Sequence, residues 1–167
     1  MMLRAIMLTF GYVFYAPAPP VAARIESQFI SMSIRILIAD DDAAIRRLLR
    51  RLIEEHEDWS VCGDAQTGQD AVGKAAELRP DVIVLDLAMP EMNGLQAARA
   101  ISRSTPEVPL LLLTVQQVSK ELTSEAVSAG FKGAVSKSTG SEVVRAIEVL
   151  LKHQSFFQPI RNDVVAW

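Results

Sequence analysis

The chain has little of what builds covalent or metal-stapled scaffolds. Its single cysteine, Cys62, excludes an internal disulfide and, in the apolar context Trp59-Ser60-Val61, reads as a structural thiol. There are only two histidines, His56 and His153, and neither has cysteine or acidic partners at ligand spacing. Both therefore read as surface residues and not as metal ligands. A basic surplus is missing too: 17 Lys and Arg against 20 Asp and Glu leave a formal net charge of -3. That sets aside a protein whose main work is coating nucleic acid. The apolar stretch at residues 5–16 is too short to cross a bilayer. With 167 residues, 50% of them hydrophobic, the chain has enough material for one core of ordinary size plus tails.

Residues 1–33 differ from the rest. Arg4 carries an early positive charge, an apolar stretch follows, and Pro17, Pro19 and Pro20 precede Val21-Ala22-Ala23. This is the layout of a secretory signal peptide with a small-residue cleavage site after Ala23. Met32 offers a natural start just before the first strand. The segment is accordingly read as a mis-assigned start or inert extension outside the fold, and the expected location is cytoplasmic.

From Ile34 onward, strand and helix patterns alternate. The runs 34–39, 82–85 and 110–113 are short, branched and apolar nearly throughout, as in parallel strands buried on both faces. Weaker strands are expected at 59–63 and 133–136. Between them, Ile45, Leu48, Leu49, Leu52 and Ile53 recur at helical spacing, leaving Arg46, Arg47, Arg50 and Arg51 on what reads as a solvated face. Asp42 reads as a helix cap and Thr67 to Asp70 as a capping box. Val143, Val144, Ile147, Leu150 and Leu151 mark a last amphipathic helix. Five strand-helix units predict an α/β fold: a doubly wound, five-stranded parallel sheet in the flavodoxin-like order 2-1-3-4-5, with helices on both faces. The expected division is an extension at 1–33, one domain at 34–153 and a tail or truncated linker at 154–167.

Polar groups fall at the ends of these strands. Asp40 and Asp41 follow the first, Asp86 ends the third, Thr114 the fourth, and Lys137 follows the fifth. In a sheet of this kind reactive groups collect beyond the carboxyl ends of the strands, at the point where strand order reverses. Carboxylates converging there repel one another unless a cation lies between them, and hard oxygen ligands suit Mg²⁺. Taken singly, each residue has a plainer reading: Asp40 and Asp41 as first-turn carboxylates of a helix, Asp86 as a turn residue, Thr114 as a cap, Lys137 as a solvated lysine. Their joint placement favours a phosphoacceptor site.

The ordered set, with Leu85-Asp86-Leu87-Ala88-Met89-Pro90 and Gly94, strongly resembles the receiver domain of two-component response regulators over roughly residues 34–153. Phe156-Phe157-Gln158-Pro159 further looks like the linker that leads to a LuxR-type helix-turn-helix. The resemblance implies that Asp86 is the phosphoacceptor. It also implies that Asp41, Asp86 and the Ala88 backbone carbonyl bind Mg²⁺ directly, that Asp40 acts mainly through bound water, and that Lys137 and Thr114 contact the phosphoryl oxygens. The implied partners are a histidine kinase or phosphotransfer protein and an unknown downstream protein, with room for a homodimer. No specific DNA binding is expected of this chain alone, because the residues after His153 are too few for a further domain.

Three positions depart from the family pattern. Ala134 stands where an aromatic residue is usual, Ser138 where proline is frequent after the lysine, and Val115 where a small residue often follows the hydroxyl. These leave the phosphorylation chemistry in place and bear on the switch. Two rivals remain: a receiver-like docking module that is never phosphorylated, and a Mg²⁺-dependent phosphohydrolase. The second lacks an aspartate two residues after Asp86, where Ala88 stands, so the chain is expected not to be an enzyme beyond its own phosphorylation and slow dephosphorylation.

Overall fold

A computed structural model of the chain describes residues 33–157. The expectations for residues 1–32, including the cleavage site and the alternative start, lie outside the described residues, as do those for 158–167. The described elements are β1 (Ile34–Ala39), α1 (Ala43–Glu54), β2 (Trp59–Ala65), α2 (Gly68–Leu78), β3 (Val82–Asp86), α3 (Gly94–Ser104), β4 (Leu110–Thr114), α4 (Lys120–Ala129), β5 (Gly133–Ser136), α5 (Gly140–Leu151) and β6 (Phe156–Phe157). All strand pairings are parallel, in the order β2-β1-β3-β4-β5-β6.

Every residue of β3 and β4 is buried, which is why their sequences show no polar alternation. Alternate side chains enter opposite cores. Leu37, Ile83, Leu85, Leu110, Leu112 and Ala134 face one side with residues of α2, α3 and α4. Ile36, Ile38, Val82, Val84, Leu111, Leu113 and Val135 face the other, with residues of α1 and α5. The period of two along each strand thus divides the apolar residues between two helical layers.

Local capping departs in one detail from the sequence expectation. Asp42 caps α1, accepting from the Ala44 and Ile45 amides. Thr67 caps α2, but the Asp70 carboxylate that would complete a box pairs instead with Lys74 at 2.8 Å. The full capping box opens α3, where Asn93 and Gln96 exchange side-chain to backbone bonds at 2.9 and 3.0 Å.

The sheet also extends beyond the expected five strands. Phe156 and Phe157, assigned to the tail from sequence, pair with Gly133 and Ala134 as a short sixth strand. Glycine at 133 permits it, since a Cβ there would lie 2.6 Å from the Phe156 carbonyl oxygen. Phe156 packs toward the α1/α5 core and Phe157 toward the other, which contains Ala134. β2 likewise runs two residues past its expected end, to Ala65, after a register irregularity between Ile36 and Leu37 of β1. Cys62 is half-buried there, and desolvation raises its thiol pKa, which favours the protonated, structural form.

Candidate functional site

Parallel pairing sets the site. Ala39 of β1 lies opposite Leu85 of β3, so the next residues, Asp40 just past β1 and Asp86 at the end of β3, lie side by side. Asp86 is opposite Leu113 of β4, and Thr114 is opposite Ser136 of β5, with Lys137 next in the chain. Backbone bonds carry the alignment past the strands: the Leu87 amide donates to the Leu113 carbonyl at 2.9 Å and the Lys137 amide to the Thr114 carbonyl at 2.8 Å.

At this edge, carboxylate oxygens of Asp40, Asp41 and Asp86 all lie within 4.8 Å of one another. Asp40 is fully buried and Asp86 nearly so, while Asp41 is exposed. The Lys137 ammonium sits between the two buried groups, 2.7 Å from Asp40 Oδ2 and 3.0 Å from Asp86 Oδ1. Far from being a solvated lysine, it is the counterion of the pocket. Asp40 Oδ1 accepts from the Asp42 amide at 2.9 Å. Oδ2 has no well-formed hydrogen bond and relies on the Lys137 charge.

The electrostatics follow from this placement. Desolvation raises the Asp86 pKa above the ordinary 3.8; Asp40 adds to the rise, while Lys137 and the Ala88 amide, which donates to the Asp86 carboxylate, oppose it. Desolvation pulls Lys137 down, but Asp40 and Asp86 outweigh it, and its pKa ends above the ordinary 10.5. Three carboxylates against one ammonium leave the pocket short of positive charge. The donor set is all hard oxygen and carries more negative charge than its one ammonium balances, so these residues fit a small divalent cation such as Mg²⁺.

Thr114 is buried and its Oγ1 accepts from the Gln116 amide at 3.0 Å, while Ser119 caps the following helix. Val115, next in the chain after Thr114, is 77% exposed. Gly94 closes the loop after β3: its amide donates to the Leu87 carbonyl at 3.0 Å, and a Cβ there would collide with the Asp86 carbonyl oxygen. Met89 is buried in the core and Met92 lies against Gly68, so both are packing residues. His56 stacks on Trp59 with ring centroids 4.4 Å apart.

One expectation is overturned. Arg46 is not on a solvated face; it is buried, and it donates from Nη1 to the Asp40 and Asp41 carbonyls at 2.8 and 3.1 Å and from Nε to Asp64 at 3.0 Å. Arg50 pairs with Glu54 one turn on, at 3.1 Å, and also reaches Asp64 at 3.4 Å. A signal for Arg46 was available, because a cation near a helix N-terminus opposes the dipole and needs another reason to be there.

Residues 36–148 match the family model of the response regulator receiver domain. Response regulator GacA of Pseudomonas viridiflava is 32% identical over 127 residues, 75% of this chain and 59% of the relative. Transcriptional regulatory protein YdfI of Bacillus subtilis is 35% identical over 126 residues, 75% of this chain and 58% of the relative. The chain thus spans somewhat over half the length of these curated relatives. Among solved structures, a LuxR-family two-component response regulator from Aurantimonas sp. SI85-9A1 superposes with a TM-score of 0.73 at 32% identity, covering 76% of this chain and 91% of that one.

Proposed function

The chain belongs to the response regulator receiver domain family, the phosphoacceptor module of two-component signalling, and from that membership we propose that Asp86 is the residue that carries the phosphoryl group. The observation that supports this assignment is the shared ammonium: Lys137 bridges Asp40 and Asp86 in a pocket where Asp86 ends its strand. An Asp86 carboxylate oxygen attacks phosphorus, an acyl phosphate forms, and the bond to the donor breaks with its electron pair leaving on the donor, an imidazole where the donor is a phosphohistidine. Lys137 then exchanges its contact with Asp86 Oδ1 for the phosphoryl oxygens while keeping Asp40 in reach. Thr114, whose Oγ1 accepts from the Gln116 amide, donates its hydroxyl hydrogen to the same oxygens, and so couples them to the start of the loop before α4.

Asp40, Asp41, Asp86 and the Ala88 carbonyl are the groups that would hold Mg²⁺. When bound, the ion supplies charge neutralisation between the carboxylates and the transferring group. The phosphodonor is a histidine kinase or phosphotransfer protein in the cytoplasm, and the modified face engages a downstream protein or a second copy of the chain. No helix among the described residues is long and apolar enough to cross a membrane.

Incubation with acetyl phosphate and Mg²⁺, followed by intact mass, tests the assignment. One added phosphoryl group is expected on the parent and none on Asp86→Asn. Equal labelling of the variant would remove Asp86 from the role.

A further inference from the structure

We propose that Arg46 is a positioning residue of the acidic pocket: its guanidinium sets the two aspartates beyond β1 for a divalent cation, and Asp64 at the end of β2 sets the guanidinium. This rests on reading Asp40, Asp41 and Asp86 as the cation's ligands. Between the end of β1 at Ala39 and the start of α1 at Ala43, the chain reverses through Asp40 and Asp41. The amides there are anchored: Asp40 donates to the Ala65 carbonyl at 3.1 Å, and Asp42 to Asp40 Oδ1 at 2.9 Å. The carbonyls of Asp40 and Asp41 have no sheet partner to fix them, and a single Arg46 nitrogen accepts that task for both, at 2.8 and 3.1 Å. Rotating either peptide would swing a carboxylate out of the cluster in which all three ligand oxygens lie within 4.8 Å.

The guanidinium is in turn fixed. Its Nε donates to Asp64 Oδ2 at 3.0 Å, Arg50 holds the other oxygen at 3.4 Å, and Lys74 holds the Asp64 backbone carbonyl at 2.6 Å. A rigid planar fork serves the two carbonyls from Nη1 and Asp64 from Nε at once, whereas the single nitrogen of a lysine, placed at the carbonyls, would not also occupy the Nε position that meets Asp64. The Arg46 side chain is 10% exposed while that of Asp64 is 42% exposed, so the bracket runs from solvent into the pocket wall. Partners that orient metal ligands from behind commonly matter for affinity by about 10- to 100-fold.

The test is Mg²⁺ affinity by calorimetry, with Mn²⁺ titrations followed by electron paramagnetic resonance, on the full chain at a temperature where circular dichroism shows each variant folded. Arg46→Met should weaken the Mg²⁺ Kd by about tenfold or more, Arg46→Lys by less, and Asp64→Asn in the same direction by a smaller factor. A lower melting temperature with an unchanged Kd in Arg46→Met would overturn the proposal, since it would make Arg46 only a staple between α1 and β2. If Arg46→Met does not fold, unchanged affinity in both Arg46→Lys and Asp64→Asn overturns it. Asp41→Asn separates the two layers of the argument. If it loses binding and the Arg46 variants do not, the positioning role alone is wrong; if the parent binds no Mg²⁺, the ligand assignment falls and the proposal with it.

Discussion

Replacing Lys137 with methionine keeps much of the side-chain stem and removes the charge that reconciles Asp40 with Asp86. The two ammonium contacts, at 2.7 and 3.0 Å, are each worth about 6 kcal/mol of gross attraction at an effective dielectric of about 20. Most of that offsets the desolvation of two buried carboxylates and a largely covered ammonium. What the variant cannot escape is the residual repulsion of carboxylate oxygens within 4.8 Å of each other, about 3 to 4 kcal/mol on the same scale. Lys137→Met should therefore destabilise the metal-free domain by about 3 kcal/mol at pH 8, a fall of about 10 °C in Tm. The sign of the pH dependence follows from Asp86. A folded-state pKa above the ordinary 3.8 means the folded chain holds that proton more tightly than the unfolded one. Stability is then lost as pH rises from the ordinary value through the raised one, and the loss is larger once Lys137 no longer opposes it. Melts in EDTA from pH 5 to pH 8 should show the gap between variant and parent widening with pH. Mg²⁺ should narrow it, and Asp86→Asn in the Lys137→Met background should remove most of it. A gap that is the same at pH 5 and pH 8, or insensitive to Mg²⁺, would refute Lys137 as the counterion of the pair.

Two further outcomes are expected. Thr114→Ala should retain most labelling on Asp86, yet lose the change in hydrogen exchange over residues 115–131 that beryllofluoride produces in the parent; an equal response in both would assign the coupling elsewhere. Phe157→Ala should cost about 1 to 2 kcal/mol in denaturant melts, less than a fully buried phenylalanine because the side chain is half-buried, and should speed exchange of the Phe156 amide, which donates to the Lys132 carbonyl at 2.8 Å. No change in either would mean that β6 contributes nothing to the sheet.

The departure at Ala134 acquires a structural context from the same strand. Phe157 lies in register with Ala134 and packs toward the core that contains it, a core that also holds the buried Phe131. The chain leaving the domain is therefore joined to the strand that precedes Lys137.

What could be read along the chain is what depends on near neighbours. Val82 to Leu85 and Leu110 to Leu113 announce central strands because burial on both faces leaves no polar position, and Asp42 announces a cap because its carboxylate reaches amides two and three residues on. The order of Asp40, Asp41, Asp86, Thr114 and Lys137 at strand ends was legible for the same reason, since parallel strands bring their ends to one edge. Other features required the packed chain. Phe156 and Phe157 became a strand only because Gly133, far earlier in sequence, let a backbone approach. Neither Arg46, one of four arginines on α1, nor Lys137 announces its role in sequence: Arg46 is buried because Asp64 of β2 and the carbonyls before α1 converge on it, and Lys137 is largely covered because two carboxylates from other strands do the same. Apolar periodicity decides which face a residue occupies, whereas the partner of a charge is decided by where other strands end, and that distance exists only once the sheet has formed.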